Sequence, residues 1–226
     1  MPLKKYVKLM MIDFHTHNLS PGISQFFMAD LKIPQNLTSN QYFFIGIHPW
    51  KITDSFDANN QLTEFKNVYK KAQKHSQFLG LGEVGLDKIK PPSLKIQADI
   101  FQKQLEFAIS LNVKTIVLHN VKTFDCSLEI LKTSGFRGKL ILHDFYAHPN
   151  VYEQFNKHCK AYISLGMRGL NSRHLLSYPL ESCLLETDDS NESIKNIYKI
   201  ASEKLTLSVG EIDKELCKRL KEIVQN

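Results

Sequence analysis

The sequence lacks any long apolar run, although 42% of its 226 residues are hydrophobic. A membrane-spanning helix needs about 20 consecutive apolar residues, and no stretch of the chain approaches that length. The first residues, MPLKKYVKLMMIDF, place lysines ahead of a short apolar run. Lys8 interrupts that run and no small-residue cleavage site follows it, so we expect neither a membrane span nor a secretory signal peptide.

Paired cysteines are also missing, since the chain has four scattered cysteines and no CxxC pair. They are Cys126, Cys159, Cys183 and Cys217. This spacing argues against a disulfide framework and a zinc ribbon, and it predicts reduced thiols in a cytoplasmic protein. The chain has no internal repeat, low-complexity tract or linker-like stretch. Its length therefore predicts one domain over residues 1–226.

The charge balance is basic, with a net charge of +6 and a sequence pI near 9.0. Such a balance modestly favours an anionic partner, such as nucleic acid or a phosphorylated substrate.

Short apolar runs recur along the chain, and most end on glycine, histidine or an acidic residue. Each run is nearly continuous, which is typical of strands buried on both faces of a parallel sheet. They span residues 7–15, 42–48, 78–83, 115–119, 139–143, 161–166 and 183–188, with 22–29 as a weaker candidate. Helical periodicity is found in residues 61–75, 93–111, 125–136, 149–158, 192–205 and, after a capping box at Ser208 and Glu211, 212–223. This alternation favours either a (β/α)8 barrel or a doubly wound sheet.

Histidines and carboxylates stand at or just beyond the ends of these runs. They are His15, His17, His48, Glu83, His119, His143 and Asp188. In a (β/α)8 barrel the carboxyl ends of the strands meet at one mouth, where catalytic groups gather. A single histidine there is more often a satisfied core or loop residue than a ligand, but histidines or carboxylates on four separate strands favour a metal site.

The residue types indicate the metal. Histidine and carboxylate without cysteine suit zinc, manganese, iron or cobalt, whereas magnesium prefers oxygen ligands and fits less well. Six candidate ligands exceed the needs of one catalytic ion, so we expect two divalent ions with a carboxylate such as Glu83 between them. On a strand, Asp13, His15 and His17 share one face, so we expect both histidines to face one ion and Asp13 to orient one of them.

Six segments resemble, in order, the signature segments of TatD-type metal-dependent deoxyribonucleases. They are DFHTH, GIHPW, GEVGLD, TIVLHN, LILHDF and LLETDD, and they run from Asp13 to Asp189. The resemblance implies a TIM-type barrel in which one ion is bound by His15, His17, Glu83 and Asp188. It implies that the second ion is bound by Glu83, His119 and His143. Asp188 and Glu83 would be the catalytic residues, Asp188 would take the proton from the attacking water, and His48 would lie near the substrate.

The chain departs from the family pattern in several segments. The stretch between DFHTH and GIHPW is short, so we expect the second β-α unit to be eroded to little more than GISQFFMA. Where the family commonly has Cys and Arg after the histidine of TIVLHN, the chain reads NVK. Lys122 is then the nearest cation, and we expect it to join His48 in substrate binding.

Other basic and aromatic residues also follow strand ends. Lys51, Lys88 and Arg168 are placed to meet phosphate oxygens, although each is more often a solvated surface charge. The aromatic residues Trp50, Phe145 and Tyr146 are able to stack on bases, but we expect them to pack under loops.

Three functions remain open from the sequence. The leading hypothesis is a two-metal phosphodiesterase that uses metal-activated water on DNA or a short oligonucleotide. The second is an amidohydrolase-like enzyme that cleaves C–N or ester bonds, many members of which bridge their metals with a carboxylated lysine rather than with a residue such as Glu83. The third is a non-catalytic metal-binding barrel, against which the retention of every predicted ligand argues. The sequence predicts no oligomeric state.

Overall fold

The structure, a computed structural model, describes residues 9–52 and 55–225. Within them, eight strands form one parallel sheet in chain order. They are β1 (Ile12–Thr16), β2 (Ser24–Met28), β3 (Gln41–Ile45), β4 (Phe78–Asp87), β5 (Thr115–Val121), β6 (Lys139–Leu142), β7 (Lys160–Leu165) and β8 (Cys183–Leu185). Every predicted strand is present. The first begins only at Ile12, and residues 7 and 8 of the predicted run lie outside the described residues.

The sheet curves into a nearly closed barrel. Thr16 at the end of β1 forms a parallel bridge with Asp188, just after β8. The backbone N–H of Asp188 donates to the carbonyl of His15 at 2.9 Å. Sequential strand order and this seam confirm the predicted TIM-type barrel and exclude a doubly wound sheet, in which the strand order reverses.

Seven α-helices are present in the described residues, and the longer ones pack on the outside of the barrel. They are α1 (Ser55–Ala72), α2 (Leu94–Ser110), α3 (Phe124–Ser134), α4 (Pro149–Asn156), α5 (Met167–Leu170), α6 (Ile194–Leu205) and α7 (Val209–Val224). The predicted capping box begins α7, where the Ser208 side chain accepts from the N–H of Glu211 and the Glu211 side chain accepts from the N–H of Ser208. The predicted helices are therefore confirmed.

The two connections at the start of the barrel contain no helix. Residues 17–23 join β1 to β2, and residues 29–40 join β2 to β3, without a helical turn in either segment. The predicted erosion of the second unit is confirmed. The first unit has lost its helix as well, which the sequence analysis did not predict.

Two buried glutamines supply hydrogen bonds to the connection between β1 and β2, where no helix supplies them. Gln25, on β2, accepts from the N–H of Ser20 at 2.6 Å and donates to the carbonyl of Asn18 at 3.0 Å. Gln41, on β3, donates to the carbonyl of Ser20 at 3.1 Å. Backbone polar groups next to a core need such partners, so these side chains fix the course of the loop that follows the HxH motif.

The last two helices hold the first strand in place. The carboxylate of Asp213, on α7, accepts from the N–H groups of Met10 and Met11 at 3.0 and 2.9 Å. The hydroxyl of Tyr198, on α6, accepts from the N–H of Ile12 at 2.8 Å. These bonds set the position from which β1 carries its histidines to the mouth.

All four cysteines have free thiols. No helix among the described residues has the length and apolar character needed to cross a membrane.

Candidate metal centre

The seven predicted polar residues converge at the mouth of the barrel. Three of them lie within strands, namely His15 on β1, Glu83 on β4 and His119 on β5. Four follow a strand end, namely His17, His48, His143 and Asp188. The shared edge formed by the carboxyl ends of parallel strands brings together residues that are far apart in sequence.

Glu83 is at the centre of this group and is only 3% exposed. Two glycines let β4 approach β5 closely enough to place it there. A Cβ atom on Gly82 would lie 2.8 Å from the Cβ of Val117, and one on Gly85 would lie 2.0 Å from the carbonyl oxygen of His119. Gly85 also has a φ of 143°, which side-chain-bearing residues rarely adopt.

One carboxylate oxygen of Glu83 faces a first set of ligands, called the Oε2 set, comprising His15, His17 and Asp188. The Nε2 atoms of His15 and His17 lie 3.2 and 3.4 Å from Glu83 Oε2. The same nitrogens lie 3.3 and 3.6 Å from Asp188 Oδ1. Four donor atoms from three parts of the chain therefore surround one point.

The other oxygen of Glu83 faces a second set, called the Oε1 set, comprising His48, His119 and His143. The distances to Glu83 Oε1 are 2.6 Å from His119 Nδ1, 2.8 Å from His143 Nε2 and 3.2 Å from His48 Nε2. His119 Nδ1 also lies 3.0 Å from His143 Nε2. His48 thus approaches Glu83 as part of the cluster, whereas the sequence analysis expected it only near the substrate.

Several buried donor atoms in the cluster have no hydrogen bond. They include Nδ1 and Nε2 of His15, Oε2 of Glu83 and Nδ1 of His143. His15 Nε2 and Glu83 Oε2 are therefore 3.2 Å apart, but their geometry is not that of a hydrogen bond. Leaving buried polar atoms without a hydrogen-bond partner costs folding free energy. A metal ion is a partner that would satisfy these atoms.

A metal ion fits this donor set. Bonds of about 2.1 Å place the ligands of a tetrahedral zinc ion about 3.4 Å apart, and the Oε2 set shows separations between 3.2 and 3.6 Å. The described residues contain three triads of potential ligands, which are His15, His17 and Glu83; His48, Glu83 and His119; and His15, His143 and Glu186. The residues present therefore suit divalent ions on both sides of Glu83.

Charges inside the cluster strongly shift the pKa values of its side chains. Burial alone would raise the pKa of Glu83, but the neighbouring His143 and His15 hold that pKa well below its usual value. Burial would lower the pKa of His143, yet the carboxylates of Glu83 and Glu186 raise it well above the usual value. Burial would likewise raise the pKa of Asp188, and its contact with His15 lowers it instead. The carboxylates of Glu83 and Asp188 are thus ionised at neutral pH, as metal ligands must be.

Two carboxylates outside the cluster, those of Asp87 and Glu186, contact His119 and His143 at the ring nitrogen that faces away from Glu83. Neither was predicted from the sequence. Asp87 Oδ2 lies 3.4 Å from His119 Nε2, on the side of the ring opposite the Nδ1 atom that faces Glu83. Glu186, fully buried, has Oε1 3.7 Å from His143 Nδ1 and accepts from the N–H of Asp144 at 2.6 Å. Carboxylates in such positions fix the orientation of metal-binding imidazoles. The signal was present, because both residues belong to the quoted segments GEVGLD and LLETDD.

Asp13 does not have the role expected from the sequence. No hydrogen bond joins it to either histidine of the HxH motif among the described contacts. Its carboxylate instead accepts from the N–H of Thr187 at 3.0 Å and from the Thr187 hydroxyl at 2.7 Å. This fastens the chain just before Asp188, whose backbone has the unusual φ of 55°, so Asp13 orients the carboxylate ligand rather than an imidazole.

The cluster opens into a cavity of ≈ 290 Å³ at the mouth, which Asp30, Trp50 and Lys51 also line. A second cavity, of ≈ 620 Å³, shares His17, Asp30 and Lys51 with the first. The mouth therefore extends past His17 towards the two connections that lack helices.

The predicted surface residues have mixed positions. Lys122 is exposed, and it is not among the described residues that line the cavity around the histidines. Its role in substrate binding stays a prediction. Phe145 is buried as expected, but Trp50 and Tyr146 are 49% and 47% exposed, so the expectation that these two pack under loops is wrong.

Comparison with solved structures shows the same fold in three proteins. A hydrolase of the TatD family from Entamoeba histolytica matches with a TM-score of 0.78 and 16% identity, over 95% of this chain and 98% of that one. YJJV, a TatD homolog from Escherichia coli K12, matches with a TM-score of 0.74 and 19% identity, over 96% and 98%. An uncharacterized amidohydrolase from Saccharomyces cerevisiae matches with a TM-score of 0.74 and 13% identity, over 96% and 100%.

Sequence comparison gives two further matches. The family model described as TatD related DNase matches residues 12–221. An uncharacterized metal-dependent hydrolase from Buchnera aphidicola (subspecies Acyrthosiphon pisum) is 25% identical over 154 residues, which are 65% of this chain and 58% of that protein. The match thus spans little more than half the length of this relative.

Proposed function

Because the chain belongs to the family of TatD-related DNases, as the resemblance of its motifs indicated, we propose that the mouth cluster is the active site of a metal-dependent hydrolase. We further propose that it holds two divalent ions and hydrolyses phosphodiester bonds in DNA or a short oligonucleotide.

The observation that carries this proposal is the position of Glu83 between two sets of nitrogen donors. Its Oε2 atom faces His15 and His17, and its Oε1 atom faces His119 and His143. A carboxylate shared in this way suits two neighbouring ions. Ions held by these residues would supply activation of a water molecule and stabilisation of the entering and leaving oxygens of a phosphodiester.

Asp188 is the residue best placed to accept the proton of the attacking water. Its side chain is 24% exposed, whereas the side chains of Glu83 and His15 are 2% and 0% exposed. Water in the mouth cavity therefore reaches Asp188 before the other carboxylate of the cluster. The lowered pKa of Asp188 keeps its carboxylate ionised at neutral pH, which is the form that accepts a proton, and also makes it a weaker base than a free carboxylate.

Three features support a nucleic-acid substrate over a small neutral one. The chain carries a net charge of +6, which favours a polyanion. The mouth extends from the 290 Å³ cavity into the larger one past His17, which leaves room for groups on both sides of a scissile bond. The bridging position is filled by Glu83, whereas a carboxylated lysine is common in enzymes that cleave C–N bonds.

The test is cleavage of a fluorescent single-stranded oligonucleotide by the purified protein after chelation and after addition of Zn²⁺, Mn²⁺ or Mg²⁺. We expect chelation to abolish cleavage and Zn²⁺ or Mn²⁺ to restore it better than Mg²⁺. With metal added, Glu83→Gln should show no cleavage and Asp188→Asn should cleave about 10²- to 10⁴-fold more slowly than the unmodified chain. Glu129→Gln, an exposed acid on α3, is the matched control and should cleave normally.

Two outcomes would contradict the proposal. Cleavage by Glu83→Gln and Asp188→Asn at the rate of the unmodified chain would place the reaction elsewhere. Turnover of lactones or dihydropyrimidines, with no cleavage of any phosphodiester, would assign the site to amidohydrolase-like chemistry.

A further inference from the structure

Trp50 is a large apolar side chain that remains half exposed beside the metal cluster. Its relative exposure is 49%, and it lines the same cavity as Glu83 and His119. Full burial of an aromatic ring would contribute substantially to stability. An indole that stays open to the mouth of an active site is therefore available to a ligand.

The ring is nevertheless held firmly. The indole N–H donates to Asp87 Oδ2 at 2.7 Å. The ring packs edge-to-face against His48 at a centroid distance of 5.0 Å and against His119 at 5.5 Å. The backbone N–H of Trp50 donates to His48 Nδ1 at 3.1 Å, so the backbone of Trp50 is held in place as well as its ring. A preorganised surface loses little conformational entropy when a ligand stacks on it.

Asp87 links this ring to the metal cluster. The same Oδ2 atom that accepts from Trp50 lies 3.4 Å from His119 Nε2. Asp87 also accepts through Oδ1 from the N–H groups of Ile89 and Lys90 at 2.7 and 3.2 Å. One buried carboxylate therefore sets the ring and the ligand histidine in a fixed relation.

A positive charge accompanies the exposed ring. The Lys90 ammonium group lies over one face of the Trp50 ring, 5.3 Å from its centroid. A base therefore stacks on the ring area that Lys90 leaves open or takes the place of the ammonium group, which then lies within reach of the phosphate of the same nucleotide. From this placement we propose that Trp50 is the surface on which a nucleobase next to the scissile phosphodiester stacks, with Lys90 near its phosphate. The inference rests on the proposed function and adds a determinant of substrate affinity to it.

Tyr146 provides a matched control because it shares the general features of Trp50 but not its links to the cluster. It is 47% exposed, and the Arg168 guanidinium lies 5.2 Å from its ring. Among the described contacts, no hydrogen bond from its hydroxyl reaches a cluster residue, and it does not line the cavity around Glu83. If any exposed aromatic ring at the mouth contributed to binding of the oligonucleotide, Trp50→Ala and Tyr146→Ala would weaken that binding equally.

The first test uses fluorescence, since Trp50 is the single tryptophan of the sequence. The zinc-loaded protein is titrated with a phosphorothioate oligothymidylate of about eight nucleotides, within the usual length bound by one site. A second titration uses an abasic chain of the same length and charge. We expect saturable quenching of the indole emission by the base-bearing chain and none by the abasic chain.

The second test measures affinity from the anisotropy of the same chains carrying a fluorescein label. We expect Trp50→Ala to bind the base-bearing chain about 10-fold more weakly, which is typical of one lost stacking contact. Trp50→Phe should recover most of this loss, and Tyr146→Ala should bind like the unmodified protein. The abasic chain should bind Trp50→Ala and the unmodified protein equally.

Failure of this inference is distinguishable from failure of the proposed function. Binding and cleavage of the base-bearing chain without indole quenching, or equal quenching by the abasic chain, would overturn the stacking role and leave the hydrolase intact. Absence of any anisotropy change with either chain would overturn both.

Discussion

The two sets of side chains around Glu83 share one carboxylate but differ in spacing. In the Oε2 set, the nitrogens of His15 and His17 stand 3.2 and 3.4 Å from Glu83, close to the spacing of ligands around a tetrahedral ion. In the Oε1 set, His119 and His143 approach to 2.6 and 2.8 Å. The first set already has the spacing expected around an ion, whereas the second would have to widen to accept one.

This difference predicts how the two proposed ions would bind. Ligands that need no rearrangement bind more tightly than ligands that must first separate. We therefore expect the ion at the Oε2 set to be the tighter one and the ion at the Oε1 set to exchange more readily.

Glu83→Gln should have the largest effect, because it removes the one carboxylate common to both sets. A neutral amide is a much weaker ligand, and it leaves the buried histidines without their counter-charge. We expect loss of both ions and no detectable hydrolysis, measured by elemental analysis and by the oligonucleotide assay. Retention of one full equivalent of metal would show that one set holds its ion without Glu83.

Asp188→Asn should lower kcat by about 10²- to 10⁴-fold, the usual contribution of a general base. It should also loosen the ion at the Oε2 set while the other set keeps its ion. Measuring the rate at saturating metal and substrate separates slower proton transfer from weaker metal binding, because added metal restores only the bound ion. Full recovery of kcat at high metal concentration would contradict a role for Asp188 in proton transfer.

Removing one histidine from each set should separate the two ions. His17→Ala should lose the tighter ion, and His119→Ala the weaker, each leaving about one equivalent. Competition with a chromogenic chelator measures the affinity that remains. If both variants retain ions of the same affinity, the difference in spacing has no thermodynamic consequence.

The outer carboxylates should have smaller effects. Asp87→Asn and Glu186→Gln keep the shape of the side chain but weaken its hold on His119 and His143, so we expect metal affinity to fall by about 10- to 100-fold. Among the described contacts, Asp87 reaches only the Oε1 set, so in Asp87→Asn the ion at the Oε2 set should keep its affinity. Glu186 also lies within 4.8 Å of His15, so Glu186→Gln should weaken both ions. An equal loss at both positions in Asp87→Asn would contradict the division into two sets.

Much of this arrangement was predictable from the sequence, for a definite physical reason. Parallel strands end at one edge, so a histidine or carboxylate at the end of each apolar run had to meet the others there. His119 and His143 were found in this way although 24 residues separate them. The helix stripes and the capping box at Ser208 follow local rules, which a sequence displays directly.

Features that depend on the distance between neighbouring elements were not predictable. Asp13 lies in the same motif as His15, but the closure of β8 against β1 gives it Thr187 as a partner. Glu186 stands next to the seam for the same reason. The half-exposed position of Trp50 depends on its hydrogen bond to Asp87 and on its packing against His48 and His119, and no pattern in the residues around Trp50 encodes it.

The smallest effect concerns the stability of the metal-free protein at alkaline pH. Burial and the charge of His143 lower the pKa of His15, but Glu83 and Asp188 outweigh them and raise it to about 9 from its usual 6.5. The folded state therefore holds a proton that the unfolded state releases. This contribution to stability is fully present below pH 6.5 and is lost as the pH rises through 9.

Urea unfolding of the chelated protein at several pH values between 6 and 9 measures this loss. We expect the free energy of unfolding to fall across that range and to fall less in His15→Gln, which has no proton to lose. A free energy that rises with pH in the metal-free protein would contradict the assignment.

The central claim is that Glu83 stands between two metal ions. An anomalous-difference map from crystals grown with Zn²⁺ and measured at the zinc absorption edge tests it most directly. We predict two peaks, one bounded by His15, His17 and Glu83 and the other by Glu83, His119 and His143. A single peak, or peaks that do not contact Glu83, would contradict the account.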